Sequence, residues 1–357
     1  MLKAFYPLAI SLMVSVYALA QQNPSSIERT ELQATYLAAK VEFARFEKTH
    51  GHFITTPNGR IHYITLGNSS GIPLVWSHGS LTNALELMSL ADGLVKAGYY
   101  LIAIDYYGHG QTPIPAHDVS LYHVADDIKA ILDKLAIKKA VIGGWSRGGM
   151  ISTAFYDAYP ERVLGLILED GGSVSPNTHY HEMEPSQLDK RIGELFKDRL
   201  PETIFDSEFD AYRSIYDTTQ KGTQFELLAW IRPTQNGKWA ISPGVLALFN
   251  MKTPEQFRDN ILHPTRVPLF AESMSILEPK IVYRNLAVPL LIIDPTSADD
   301  LFPFETENAA LQKQHPAFIE HKVYPNTGHN VHYERPAQFL NDVASFARRI
   351  KSFNRLK

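Results

Sequence analysis

The run Gly144-Trp145-Ser146-Arg147-Gly148 is the part of the chain best suited to chemistry. A serine hydroxyl works as a nucleophile when it is raised on a sharp turn between a strand and a helix. Its neighbours two positions away must then lack side chains, and the new helix aims its dipole at the charge that develops. An apolar strand is predicted over 140–145 and a helix over 147–159, so Ser146 has that setting. The hydroxyl still needs a base. Of the 14 histidines, His329 in Gly328-His329 lies between the last predicted strand and the closing helix, where its ring can swing over a sheet toward Ser146. His109, in Gly108-His109-Gly110, and His332 are the alternatives, and His78, before Gly79 at a strand end, reads as shaping a loop. The imidazole needs a carboxylate to fix its tautomer. Asp299, in the loop after the 289–294 strand and four residues before Pro303, is preferred, with Asp300 and Asp170 as alternatives and Asp294 as a strand-end residue. Two backbone N–H groups, those of Ser80 and Arg147, are expected to hold an oxyanion. The Arg147 side chain either meets a carboxylate or an acidic substrate group, or is an exposed arginine on the first helical turn.

These residues need a frame that delivers them from distant parts of the chain. Strands are predicted over 52–56 and 60–66, joined through Pro57-Asn58-Gly59, then over 73–77, 99–105, 140–145, 163–168, 288–293 and 318–324. Helices are predicted over 85–97, ended by Gly98, and over 119–135, 147–159, 305–314 and 337–351. The later strands are nearly continuous in Val, Ile and Leu, as expected of a parallel sheet covered by helices on both faces. The reading is therefore an α/β class, a doubly wound, mostly parallel sheet. The rhythm breaks over 173–285, a stretch rich in aromatics without a run of three strands, which reads as an inserted helical cap. Residues 21–51 read as an N-terminal helical extension, with Ser25 and Glu28 as a capping box and Leu32, Tyr36, Leu37, Val41 and Phe43 as an apolar stripe. The core is then 52–172 with 286–357.

Four motifs together carry a resemblance. His78-Gly79, Asp105-Tyr106-Tyr107-Gly108-His109-Gly110, Gly144-Trp145-Ser146-Arg147-Gly148-Gly149, and Gly328-His329 followed by Glu334, Pro336 and Phe339 resemble the α/β-hydrolase superfamily over roughly residues 52–350. The chain is similar to the capped esterase, lipase and proline-iminopeptidase-like branch. That resemblance implies an acyl-enzyme mechanism on a small-molecule ester or amide, with no cofactor or metal. An aminopeptidase would need cap acids for the substrate amine, and Glu182, Glu184, Glu194 and Glu208 are candidates. A non-catalytic ligand-binding member is the reading from another class. The chain departs from the common pattern after the 289–294 strand, where Asp294-Pro295 replaces the usual glycine. Serine at the elbow, in place of aspartate, argues against epoxide hydrolases and haloalkane dehalogenases, which need a carboxylate nucleophile.

Composition sets the remaining bounds. With 357 residues, 45% apolar and 20% charged, the chain can form one large core with an elaboration. A formal charge of −4 and the lack of basic runs give no reason to expect nucleic acid or an anionic membrane as a partner. The first twenty residues read as a secretory signal peptide. Lys3 is followed by the uncharged apolar stretch 7–20, and Ala18-Leu19-Ala20 precedes Gln21 as a cleavage site. Stable membrane insertion is not expected once it is removed, and an exported protein, periplasmic or secreted, follows. There is no cysteine, so no disulfide staples the fold and no thiol takes part in the chemistry.

Overall fold

The computed structural model describes residues 26–197, 203–234, 236–298 and 303–355. Its main sheet has eight strands: β1 (Gly51–Thr56), β2 (Gly59–Leu66), β3 (Ile72–Ser77), β4 (Tyr99–Ile104), β5 (Ala140–Trp145), β6 (Val163–Glu169), β7 (Leu290–Thr296) and β8 (Ile319–Pro325). Their spatial order is β1-β2-β4-β3-β5-β6-β7-β8. The pairs β1–β2 and β2–β4 are antiparallel, and from β4 to β8 every pair is parallel. The helices beside the sheet are α1 (Ser26–His50), α2 (Ala91–Lys96), α3 (Leu121–Lys134), α4 (Arg147–Ala158), α5 (Glu305–Gln314) and α6 (Pro336–Arg355). The fold is the doubly wound α/β architecture expected from the alternation.

Strand alternation sends apolar side chains to both faces at once. In β5, Ile142 enters a cluster with Ile128, Ile151 and Phe155, whereas Val141 enters a second cluster with Leu74, Leu291 and Phe346. Both faces are therefore buried, the physical reason for the Val/Ile/Leu runs. Among the described residues no helix is long and apolar enough to cross a membrane.

Three local expectations change. The helix predicted over 85–97 is a turn and a 3-10 segment, Met88–Leu90, leading into the shorter α2. Side chains take the N–H groups that would start the longer helix: Ala84 N–H donates to Asp105 Oδ1 (2.7 Å) and Leu85 N–H to Asn83 Oδ1 (2.9 Å). On α1 the packed residues are Leu32, Tyr36, Ala39, Phe43 and Phe46, alternating four and three apart. Leu37 and Val41, assigned to that stripe, are 56% and 71% exposed. The 173–285 segment contains a small antiparallel sheet, in the order Ile204–Phe205, Trp239–Ile241, Ile231–Pro233, besides its short helices. Strands of two and three residues are too short to show a period-two pattern. The leader and cleavage site expected over 1–20, and Ser25, lie outside the described residues.

Helix α1 is pinned to the sheet through His62 on β2. Its Nδ1 bonds Asp105 Oδ2 (2.6 Å) and its Nε2 bonds Glu47 Oε2 on α1 (3.0 Å). Burial opposes a charged ring here, but the two carboxylates outweigh it and raise the His62 pKa to about 9. Because this lies above the unfolded value of about 6.5, the stabilisation is fully present below pH 6.5 and is lost as pH rises through about 9. Urea titrations should show that His62→Asn costs up to about 3 kcal/mol more at pH 6 than near pH 10. An equal loss at both pH values would mean the pin is not charged.

Candidate active site

Ser146 joins β5 to α4 with φ 54° and ψ −117°, a strained combination for any residue with a side chain. The flanking glycines make the bend possible. A Cβ on Gly148 would lie 1.8 Å from the Ser77 carbonyl oxygen, and one on Gly144 would lie 2.3 Å from the Gly148 carbonyl carbon. Ser146 N–H donates to the Glu169 carbonyl at 2.8 Å, which locks the turn to the end of β6.

His329 arrives from the loop after β8, with its Nε2 2.9 Å from Ser146 Oγ. Two neighbours fix that loop: Trp145 Nε1–H donates to the His329 carbonyl (2.7 Å), and Gly328 N–H donates to Glu334 Oε2 (3.0 Å). The other ring nitrogen, Nδ1, is hydrogen-bonded to Asp170 Oδ2. With Nδ1–H directed at that carboxylate, Nε2 presents its lone pair to the serine O–H. Asp170 itself sits just past β6 at φ 44°, and its N–H donates to the Ile293 carbonyl on β7 (2.9 Å).

Of the three carboxylates considered for the acid, only Asp170 lies among the described residues. Asp299, preferred from its loop position, and Asp300 lie outside the described residues, and the carboxylate on the imidazole belongs to Asp170, one strand nearer Ser146. Asp294 instead accepts from His321 Nε2 on β8 (2.5 Å) and from Asn308 Nδ2 on α5 (2.9 Å).

The alternative histidines have other duties. His109 Nε2 accepts from Leu81 N–H (3.2 Å) and its Nδ1 donates to the Tyr107 carbonyl (3.0 Å); burial holds its pKa well below the usual range. His78 stacks on Tyr106 with 4.2 Å between ring centroids, and burial lowers its pKa to about 4. Both are neutral rings that shape the loop carrying Ser80. His332 bonds Glu169. Glu86 was not singled out from the sequence. Its buried carboxylate accepts from Gly79 N–H (2.9 Å), Trp76 Nε1–H (2.8 Å) and Thr82 Oγ1–H (2.9 Å), bracing the same loop. An acid in an apolar stretch between two strands was the available signal, and the expectation of a helix there concealed it.

Ser80 and Arg147 both border the cavity into which Ser146 and His329 open. The Arg147 side chain is not the exposed arginine considered above. It is buried, with its guanidinium 3.5 Å above the Phe249 ring. Its Nε contacts Met274 Sδ (2.9 Å), its Nη2 contacts Met251 Sδ (3.6 Å), and its Nη1 donates to Ser80 Oγ. The cavity measures about 240 Å³, and Val174, Tyr180, Phe257, Ile261 and Met274 from the 173–285 segment form much of its apolar wall. Among the described lining residues Asp170 is the only carboxylate. Glu182, Glu184 and Glu194 are exposed, and Glu208 accepts from Tyr36 and Lys40. The arrangement can pass a proton from a hydroxyl to an imidazole and stabilise the resulting cation, beside an apolar chamber.

Comparisons with known proteins agree with the α/β architecture. The profile of a family described as alpha/beta hydrolase fold matches residues 72–336. Over 132 residues the chain is 33% identical to Epoxide hydrolase 4 of Mus musculus, covering 36% of this chain and 37% of that protein. It is 26% identical over 289 residues to a putative 2-succinyl-6-hydroxy-2,4-cyclohexadiene-1-carboxylate synthase of Bacillus subtilis (strain 168), covering 78% and 92%. A solved structure from work on carboxylesterases of the ammonia-oxidizing thaumarchaeon Nitrososphaera gargenis superposes with a TM-score of 0.54 at 17% identity. It covers 84% of this chain and 99% of that one.

Proposed function

The chain belongs to the α/β-hydrolase fold family, and from that premise we propose that it is a serine esterase acting on small or medium-sized carboxylic esters with an apolar acyl or aromatic group. The observation that carries the proposal is the relay itself: Ser146 Oγ at 2.9 Å from His329 Nε2, with Asp170 on Nδ1. Ser146 Oγ attacks the ester carbonyl carbon while His329 Nε2 takes its proton. Asp170 stabilises the imidazolium, and the N–H groups of Ser80 and Arg147 hold the oxyanion. The C–O bond then breaks, and His329 returns the proton to the leaving alkoxide. Water, activated by the same imidazole, attacks the acyl-enzyme and releases the acid. Every step is a proton or acyl transfer carried by the chain's own groups. The name of the murine relative implies opening of an epoxide, but a serine stands at the elbow here, and the chain spans little more than a third of that protein.

The chamber favours an ester over an aminoacyl substrate. Its described walls are mostly apolar, and the four acids considered for holding a free amine lie elsewhere. The test is a panel of p-nitrophenyl esters from acetate to decanoate beside aminoacyl p-nitroanilides, with fluorophosphonate labelling of the protein. Ester turnover rising above that of acetate, negligible anilide turnover and labelling of Ser146 are expected. Faster anilide turnover would move the reading to an aminopeptidase, and an unlabelled, inactive protein would make it a binding homologue.

A further inference from the structure

Residue 169 touches all three parts of the relay. Its carbonyl accepts from Ser146 N–H (2.8 Å), its peptide bond leads directly into Asp170, and its side chain reaches the loop that carries His329. There Glu169 Oε1 accepts from both the backbone N–H (2.9 Å) and Nδ1 (2.8 Å) of His332, and Oε2 lies 2.9 Å from the same Nδ1. Both side chains are almost wholly inaccessible to water. The Trp145 ring packs near both imidazoles, 5.0 Å from His329 and 5.3 Å from His332 by ring centroids.

We propose that Glu169 and His332 are positioning residues, a second buried acid–imidazole pair that holds Asp170 and His329 in register. This rests on the esterase reading above. Burying an acid–imidazole pair is costly even when its two groups meet, and an apolar pair of similar size packs at least as well. A bidentate contact, by contrast, fixes direction as well as distance. Asp170 is delivered from the end of β6 and His329 from the loop after β8, with β7 between them in the sheet. Neither loop alone determines where its side chain meets the other. The Glu169–His332 contact lies one residue from the acid and three from the base, and so sets that meeting point. Burial works against a charged His332 ring, but the Glu169 carboxylate outweighs it and raises the His332 pKa.

Glu169→Gln and His332→Gln test this, each made alone and in an Asp170→Asn background. In the otherwise unaltered enzyme each should lower kcat for an ester by about 10- to 100-fold with KM changed by less than about 2-fold, the signature of a misplaced relay. In the Asp170→Asn background the same changes should cost less than about 3-fold, because the contact they hold in register is already gone. A residue with a merely structural role lowers both backgrounds alike, so equal losses would overturn the proposal. Unchanged kcat in the single variants would overturn it too, as would loss of cooperative urea unfolding, which assigns the pair to the core. An Asp170→Asn enzyme with full activity is a separate outcome, because it removes the triad on which the proposal rests.

Discussion

Replacing Ser146 with alanine is expected to lower ester hydrolysis by about 10⁵-fold or more, because the acyl-enzyme route closes and only transition-state binding in the site remains. The local fold should survive. The φ 54° turn is strained for serine and alanine alike, and the contacts that hold it are the Ser146 N–H bond to Glu169 and the close approach of Gly144, Gly148 and Ser77, none of which involves the hydroxyl. The measurement is single-turnover hydrolysis of a p-nitrophenyl ester, with urea unfolding of the same sample as control. Activity within tenfold of the parent would show that another group is the nucleophile, whatever the geometry of His329.

The second large effect concerns the acid. Asp170→Asn is expected to reduce kcat by about 10⁴-fold, since an amide at that position leaves the imidazole in the wrong tautomer and does not stabilise the imidazolium. Asp299→Asn is expected to stay within about 3-fold of the parent, because Asp170 already occupies His329 Nδ1. The two variants decide between assignments, since only one carboxylate can occupy His329 Nδ1 at a time. A crippled Asp299→Asn beside an active Asp170→Asn would restore the assignment made from chain order. Because the substitutions leave size almost unchanged, KM for the ester should move little in either case.

Much of the site was legible because its causes are local. The glycines around Ser146 are demanded by backbone approach within a few residues, and strand-then-helix patterning marks the elbow without any long-range information. His329 was readable for a related reason, since a glycine–histidine pair after the last strand and before the closing helix has one loop to occupy. The alternation of apolar strands with helices likewise announced a sheet covered on both faces. Where side chains compete with the backbone the reading failed. Nothing in the linear pattern over 85–97 shows that Asp105, 21 residues beyond Ala84, takes the N–H that would begin a helix.

The sequence by itself determined the fold class and brought forward Ser146 and His329 as the candidate nucleophile and base, because strand periodicity, the turn and the loop order are each encoded within short stretches. Only the tertiary structure decided which carboxylate meets the imidazole. Asp170 and Asp299 follow strands that are neighbours in the sheet, and the choice depends on the register that sets Ile293 beside Glu169 and on the positive φ of Asp170. It also revealed that Arg147 lies buried against Phe249, Met251 and Met274, and that Glu169 grips His332. Those contacts join residues 102 to 163 positions apart, and chain spacing carries no information about pairings that exist only after the sheet has closed and the 173–285 segment has packed upon it.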